Sequence, residues 1–123
     1  MKQFIAVMKA LSDPNRIKIM KILEVKEFCV CEITGILGLA QSTVSKHLKI
    51  LADAGLVDSC KDGAWVNYKL AENPESHYAA VMQNNLKGWL NSDHQIKNIL
   101  SRSDKVDRIS ICEAKEVLRI MNG

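Results

Sequence analysis

A mainly helical fold with one small β-hairpin is the fold class that the sequence predicts. Apolar residues recur at helical spacing along most of the chain, and residues 41–57 show this most clearly. After Gly55, which is typical of a helix C-terminus, residues 56–60 and 64–70 are short strand-like runs. Residues 61–63 separate them and end in Asp-Gly, which favours a hairpin turn. A helix followed at once by a hairpin is the plan of a winged helix.

The first two helices are expected to be scaffold. Residues 2–11 place apolar side chains on one face, as a packed helix does. The second helix is expected to run from Pro14 to about Val25, because Asp13 suits an N-cap and proline suits the first helical position.

A third, short helix is expected over residues 28–37, ending at Gly38. Cys29 takes the N-cap position and Glu32 follows three residues later, which is a capping-box pattern with cysteine in place of serine or threonine. Cysteine caps poorly, so the thiol is expected to serve another purpose. The next helix starts after Ala40, which is also a poor N-cap.

Residues 41–57 carry the most informative chemistry. The apolar side of this helix consists of Val44, Leu48, Leu51 and Leu56. The polar side consists of Gln41, Ser42, Thr43, Ser45, Lys46 and Lys49. Gln and Ser bond base edges, and Lys and Ser hold phosphates, so this side suits the edge of a DNA duplex. An ordinary amphipathic helix with a solvated face is the alternative.

Two more helices are expected after the hairpin, the first beginning at Pro74. Its apolar stripe consists of Tyr78, Met82, Leu86 and Trp89. A short helix follows it, and Ser110 with Glu113 forms a second capping-box pattern. We therefore divide the chain into a winged-helix DNA-binding and dimerisation domain, residues 1–91, and a helical C-terminal extension, residues 92–123.

Composition and charge fit a soluble DNA-binding protein. The 123 residues are 47% apolar and 25% charged, which is ordinary for a globular chain. Residues 1–70 hold ten basic and seven acidic side chains, whereas residues 71–123 hold seven of each. The positive excess therefore lies in the half that carries the polar helix face. Without a signal peptide or an apolar run long enough to span a bilayer, the protein is expected in the cytoplasm, away from membranes.

Four segments resemble the ArsR/SmtB family of dimeric winged-helix repressors. They are LSDPNRIKIMKIL (11–23), FCVCEI (28–33), QSTVSKHLKILADAGLV (41–57) and KDGAWVNYKL (61–70). The resemblance implies a homodimer that binds palindromic double-stranded operator DNA, with one recognition helix per protomer in the major groove. His47 matches a position that faces DNA in the family, and Lys61 in the wing is placed to meet phosphate. The sequence contains no Ser/His/Asp set, phosphate loop or CxxC motif, so it does not predict an enzyme.

The cysteines are expected to be reduced thiols in the cytoplasm. Cys29 and Cys31 are about 200° apart on a regular helix, but they point the same way in an extended or frayed segment. Chelation by both therefore requires a loosened first turn. The helix N-terminus is expected to lower the thiol pKa and to supply thiolate near neutral pH.

Thiolates without a nearby imidazole or carboxylate cluster favour a soft ion. The resemblance to the arsenite-responsive branch implies that Cys29 and Cys31 bind As(III) or Sb(III) as inducer, with no resident cofactor. The position that often holds a third cysteine in that branch is Thr34 here. The third ligand is expected to be Cys112 first, with Cys60, an exogenous thiol or water as alternatives, and a buried structural role is the usual one for Cys60 in its strand. A Cd(II)- or Pb(II)-responsive repressor and a thiol-redox regulator remain alternatives.

Overall fold

The computed structural model describes residues 1–105, and over this range the chain forms six helices and three short strands. The helices are α1 (Lys2–Ala10), α2 (Pro14–Val25), α3 (Val30–Leu37), α4 (Gln41–Asp53), α5 (His77–Gly88) and α6 (His94–Ser103). The strands are β1 (Phe28–Cys29), β2 (Val57–Asp62) and β3 (Trp65–Leu70). The mainly helical class with a small β-wing is confirmed.

Side-chain caps set the start of three helices. Asp13 begins α2 as predicted, because its carboxylate accepts hydrogen bonds from the backbone N–H groups of Asn15 at 2.8 Å and Arg16 at 3.2 Å. Asp93 begins α6 in the same way. The predicted start of α5 at Pro74 is wrong. Ser76 is the N-cap, accepting from the Ala79 N–H at 3.3 Å, so its hydroxyl outweighs the proline as a start signal.

The end of α4 places the wing. Gly55 has a φ of +78°, and the N–H groups of Gly55 and Leu56 donate to the carbonyls of Ala52 and Leu51, both at 3.0 Å. This is a Schellman motif, which needs a left-handed residue after the helix. The prediction that Gly55 ends the helix is therefore confirmed. Strand β2 follows directly, so this turn connects α4 to the wing.

The sheet has three antiparallel strands in the order β1-β3-β2. Strands β2 and β3 form the predicted hairpin, with Gly63 at its turn. The third helix was predicted to include Phe28, which is wrong, whereas Cys29 is its N-cap as predicted. Phe28 and Cys29 form β1 and pair with Tyr68 and Asn67 of β3. A two-residue strand has no visible period, so the capping-box pattern masked it in the sequence.

Helix α6 packs against α2 and α3, with Ile96 and Ile99 buried. The Arg102 Nη1 group also donates to the carbonyl of Ile36 near the C-terminus of α3, at 3.2 Å. The boundary between residues 91 and 92 stays a prediction, and the capping box at residues 110–113 lies outside the described residues. None of the helices in residues 1–105 has the length and apolar character that crossing a membrane requires.

Lys21 is a fully buried cation in α2 that sequence reasoning missed. Its Nζ donates to the carbonyls of Leu86 at 2.6 Å and Trp89 at 3.0 Å, and it pairs with Glu24 at 2.8 Å. A positive charge at a helix C-terminus offsets the partial negative charge of the free carbonyls. Lys21 therefore fixes the end of α5 on α2, and the predicted stripe residue Trp89 lies beyond the helix, half-exposed.

Candidate functional site

The polar face of α4 is open to solvent. Exposed residues on it are Gln41, Ser42, Thr43, Ser45, Lys46 and Lys49. The opposite side holds Val44, Leu48 and Leu51, each with 0% exposure, so the helix cannot rotate without exposing its apolar stripe. The fold thus fixes which side of α4 faces outward. It is the side that the sequence predicts to read DNA.

Lys49 on α4 and Lys61 on the wing remain available to a DNA phosphate. Lys49 pairs with Asp53 at 3.5 Å, but both side chains are largely exposed, and such pairs contribute only about 0–1 kcal/mol. Lys61 lies exposed on β2 in the wing. A DNA phosphate therefore competes easily for either lysine.

His47 differs from the other predicted DNA contacts because it is half-buried. Its Nδ1 lies 3.2 Å from the Nη1 of Arg16, which comes from the start of α2. Sequence reasoning gave Arg16 no role. A charged residue three places after a helix-capping Asp13 is the only signal that pointed to it.

The predicted thiols lie at different depths. Cys29 ends β1, serves as the N-cap of α3 and is 1% exposed. Cys31 lies in the first turn of α3 and is half-buried. Cys29 and Cys31 thus both lie at the junction of β1 and α3, with only Val30 between them. Cys112 lies outside the described residues, and among residues 1–105 no group of three or more His, Cys, Asp or Glu side chains could hold a metal ion.

Glu32 holds the junction of β1 and α3 in place through a hydrogen bond. Its carboxylate accepts a hydrogen bond from the Cys29 backbone N–H at 2.9 Å, and the capping box predicted from the sequence is present. The first turn of α3 is therefore formed. Cys31 lies within this turn, whereas Cys29 precedes the helix in an extended conformation, with φ −83° and ψ 165°.

The expectation that the helix N-terminus lowers the pKa of the Cys29 thiol is wrong. Burial raises this pKa, the Glu32 carboxylate and the Cys31 thiolate add to the increase, and the Glu32 backbone N–H opposes them only in part, so that the pKa is about 11. Desolvation of the thiolate thus outweighs the helix terminus. Cys29 is a neutral thiol near neutral pH.

Cys60 is exposed, so the expectation of a buried structural cysteine is wrong. It lies on β2 opposite Asn67, which in turn lies opposite Cys29 of β1. Strands are spaced by about 4.8 Å, so Cys29 and Cys60 are about 10 Å apart with side chains that project in parallel. This separation argues against Cys60 as a ligand that shares one ion with Cys29.

Thr34 occupies the third position of the local thiol motif. It is 9% exposed, and its hydroxyl is the one buried side-chain polar atom without a hydrogen-bond partner among the described residues. Residues three apart on a helix are neighbours, so Thr34 lies beside Cys31 on α3. The position that would hold a third local sulfur is therefore occupied by a hydroxyl that has no hydrogen-bond partner.

The raised pKa of Cys29 predicts how stability depends on pH. Because the folded-state pKa of about 11 exceeds the ordinary 9.0, the extra stability is present below pH 9 and is lost as the pH rises towards 11. Two pKa units correspond to at most about 3 kcal/mol. Thermal melts from pH 8 to pH 11 should show a steeper loss of stability for the wild type and the control Cys60→Ser than for Cys29→Ser. Parallel curves for all three proteins would contradict the burial of the thiol.

Residues 13–59 match the family model described as "Bacterial regulatory protein, arsR family". An uncharacterized HTH-type transcriptional regulator of Methanocaldococcus jannaschii is 41% identical over 68 residues, which cover 54% of this chain and 76% of the relative. The arsenical resistance operon repressor of Escherichia coli is 28% identical over 113 residues, covering 88% of this chain and 94% of the repressor.

The cadmium resistance transcriptional regulatory protein CadC of Listeria innocua is 48% identical over 61 residues, covering 49% of this chain and 51% of CadC. The match therefore spans only about half the length of that relative.

Two solved structures have the same architecture. HlyU from Vibrio cholerae is 30% identical with a TM-score of 0.60, covering 71% of this chain and 90% of HlyU. A winged helix-turn-helix DNA-binding domain from Mycobacterium bovis, described as homodimeric, is 28% identical with a TM-score of 0.60, covering 76% of this chain and 86% of that one. The chain belongs to the arsR family of bacterial regulatory proteins and is a winged helix-turn-helix DNA-binding transcriptional regulator, not an enzyme.

Proposed function

We propose that this regulator represses an arsenic-resistance operon and leaves its operator when As(III) or Sb(III) binds cysteine thiols. The observation that carries the proposal is the placement of Cys29 and Cys31 at the junction of β1 and α3. This junction contacts both DNA-binding parts of the molecule, because α3 packs on α4 and β1 pairs with β3 of the wing. The similarity to arsenical resistance repressors supports the choice of ion.

The coupling follows from the geometry of the closed turn. We expect an ion that joins both sulfurs to move the backbone around Cys29, because Cys29 is buried and paired with β3 while Cys31 lies in the formed first turn of α3. Such movement strains the hydrogen bond from the Cys29 N–H to Glu32 and the pairing of Cys29 with Asn67. Movement there changes the position of the wing relative to α4. Since the ion prefers the shape with the open junction, it lowers the affinity for DNA by the same free energy with which DNA opposes ion binding.

Cys112 is the third ligand that we propose, from the same protomer. Arg102 ties the end of α6 to α3, and eight residues lie between Ser103 and Cys112. The nine Cα–Cα steps from Ser103 to Cys112 span at most about 30 Å, whereas the helical rise from Cys31 to Ile36 is about 8 Å. The chain is thus long enough for Cys112 to reach the junction.

A homodimer is proposed because α1 and α5 share an exposed apolar surface. Phe4 and Ile5 on α1 and Tyr78 and Val81 on α5 are each about 40% exposed, and the rings of Phe4 and Tyr78 meet edge to face with centroids 5.3 Å apart. In the dimer, the two α4 helices would read successive major grooves of a palindromic operator, about one helical turn apart. We expect this regulator to act in the cytoplasm, where its operator lies.

Operator release tests the function. Fluorescence anisotropy with a DNA fragment from the chain's own operon should show dissociation at stoichiometric arsenite for the wild type and for the control Cys60→Ser. The variants Cys31→Ser and Cys29→Ser/Cys31→Ser should bind the fragment as tightly as the wild type and ignore arsenite. Continued DNA binding by the wild type, with arsenic attached to Cys29 and Cys31, would contradict the proposal.

Cadmium sensing is the second candidate function, because CadC is a relative. The burial of Cys29 distinguishes arsenite from Cd(II) as the ligand. Arsenous acid is neutral and exchanges one hydroxide for each thiol that binds, so that one water leaves for each As–S bond formed and no proton is released. Cd²⁺ instead releases the thiol protons to solution, and the high pKa of Cys29 opposes this. A neutral ligand also suits a buried site better than a charged one.

The two ions should therefore differ in pH dependence. Between pH 6 and pH 8, the arsenite affinity should change by less than about threefold, whereas the Cd(II) affinity should rise about 10- to 100-fold per pH unit, since one or two protons leave on binding. Titrations followed by thiolate charge-transfer absorbance measure both. Tight Cd(II) binding at pH 7 with weak arsenite binding would favour the cadmium function, and DNA release by oxidants alone would favour a thiol-redox regulator.

A further inference from the structure

Arg16 connects three helices at the edge of the DNA-facing surface. Its Nε donates to the carbonyl of Ala10 at 2.7 Å and its Nη2 to the carbonyl of Lys9 at 3.1 Å, both at the end of α1. Its Nη1 lies 3.2 Å from the Nδ1 of His47 on α4. The guanidinium is therefore held by α1 and α2, and it presents one N–H group to the imidazole.

The direction of this last hydrogen bond is fixed by chemistry. A guanidinium has five N–H donors and no acceptor, so the Nδ1 of His47 must accept. An imidazole nitrogen that accepts carries no proton, and the single proton of the neutral ring then lies on Nε2. The Nε2–H group points away from Arg16, because the two ring nitrogens project in different directions.

Asp13, the N-cap of α2, lies beside this pair. Burial raises the pKa of its carboxyl group, but hydrogen bonds from the backbone N–H groups of Arg16 and Asn15 and the charge of Arg16 bring that pKa below its usual value. The Asp13 carboxylate therefore balances the charge of Arg16.

We propose that Arg16 is a positioning residue that holds His47 as the Nε2–H tautomer, so that α4 offers a neutral hydrogen-bond donor to a DNA phosphate. A phosphate is the acceptor because the ring of His47 is half-buried, whereas Gln41 and Ser42 are exposed at the start of α4. This inference rests on the proposed DNA contact of His47. It adds the tautomer and the charge state of His47, and it names Arg16 as the residue that imposes them.

Glutamine and asparagine distinguish the two ring nitrogens. The side-chain amide of glutamine reaches the position of Nε2, whereas the shorter amide of asparagine stands at the position of Nδ1. His47→Asn should weaken operator binding about tenfold, which corresponds to the loss of one hydrogen bond to a charged group, and His47→Gln should restore most of it. The loss should be the same on operator and on unrelated DNA, because a phosphate contact carries no sequence information.

The salt dependence separates a neutral donor from a charged one. The slope of log affinity against log salt should not change in His47→Asn, whereas it should fall by about one in the positive control Lys46→Ala, which removes a cation. A slope that also falls by about one in His47→Asn would show that His47 binds as an imidazolium and would overturn the proposal. Equal affinities of His47→Asn and His47→Gln would overturn it as well.

The tautomer is measured on the free protein, without DNA or arsenite. Long-range ¹H–¹⁵N spectra at pH 8 should show the proton of His47 on Nε2 in the wild type and a mixture of tautomers in Arg16→Lys, which keeps the charge but loses the planar donor group. A proton on Nδ1 in the wild type, or an unchanged spectrum in Arg16→Lys, would overturn the role of Arg16. Either result leaves arsenite release untouched, so the two proposals fail independently.

Discussion

The burial of Cys29 between β1 and α3 is the constraint on which the proposed regulation depends. The residue is at once the last of a strand, the cap of a helix and a neutral thiol with 1% exposure. Its backbone N–H is held by Glu32, and its strand partner is Asn67. In the proposed mechanism, an ion that takes this sulfur disturbs the backbone on both sides of it. The site would then act as a switch, because it is closed before the ligand arrives.

Two connections run from this junction towards DNA. One passes through α3 to α4, whose buried stripe of Val44, Leu48 and Leu51 keeps its polar side outward. The other passes through the pairing of β1 with β3 into the wing. The Schellman turn at Gly55 joins α4 to β2, so the recognition helix and the wing are directly connected. A small change at the thiols can therefore alter the whole DNA-facing surface.

Local signals in the sequence predicted much of this structure. Asp13, Gly38 and Gly55 set helix ends through side-chain or backbone geometry that belongs to the residue itself, and the polar side of α4 followed from its period. The two-residue β1, the depth of Cys29 and the partners of Lys21 and Arg16 depend on distant segments. The pKa of Cys29 was misjudged for the same reason, since desolvation by surrounding segments outweighed the local helix terminus. Tertiary contacts of this kind leave no pattern in the local sequence.

Amide hydrogen exchange at the junction tests the central claim most directly. The account predicts that stoichiometric arsenite accelerates exchange of the Cys29 amide, which Glu32 now protects, and of its neighbours across the sheet at residues 67–68, while the amides of the buried face of α2 stay protected. Unchanged exchange at Cys29 and residues 67–68, with arsenic shown by mass spectrometry to be bound to Cys29 and Cys31, would contradict it. The ion would then fit the closed junction, and its binding there could not be the cause of dissociation from DNA.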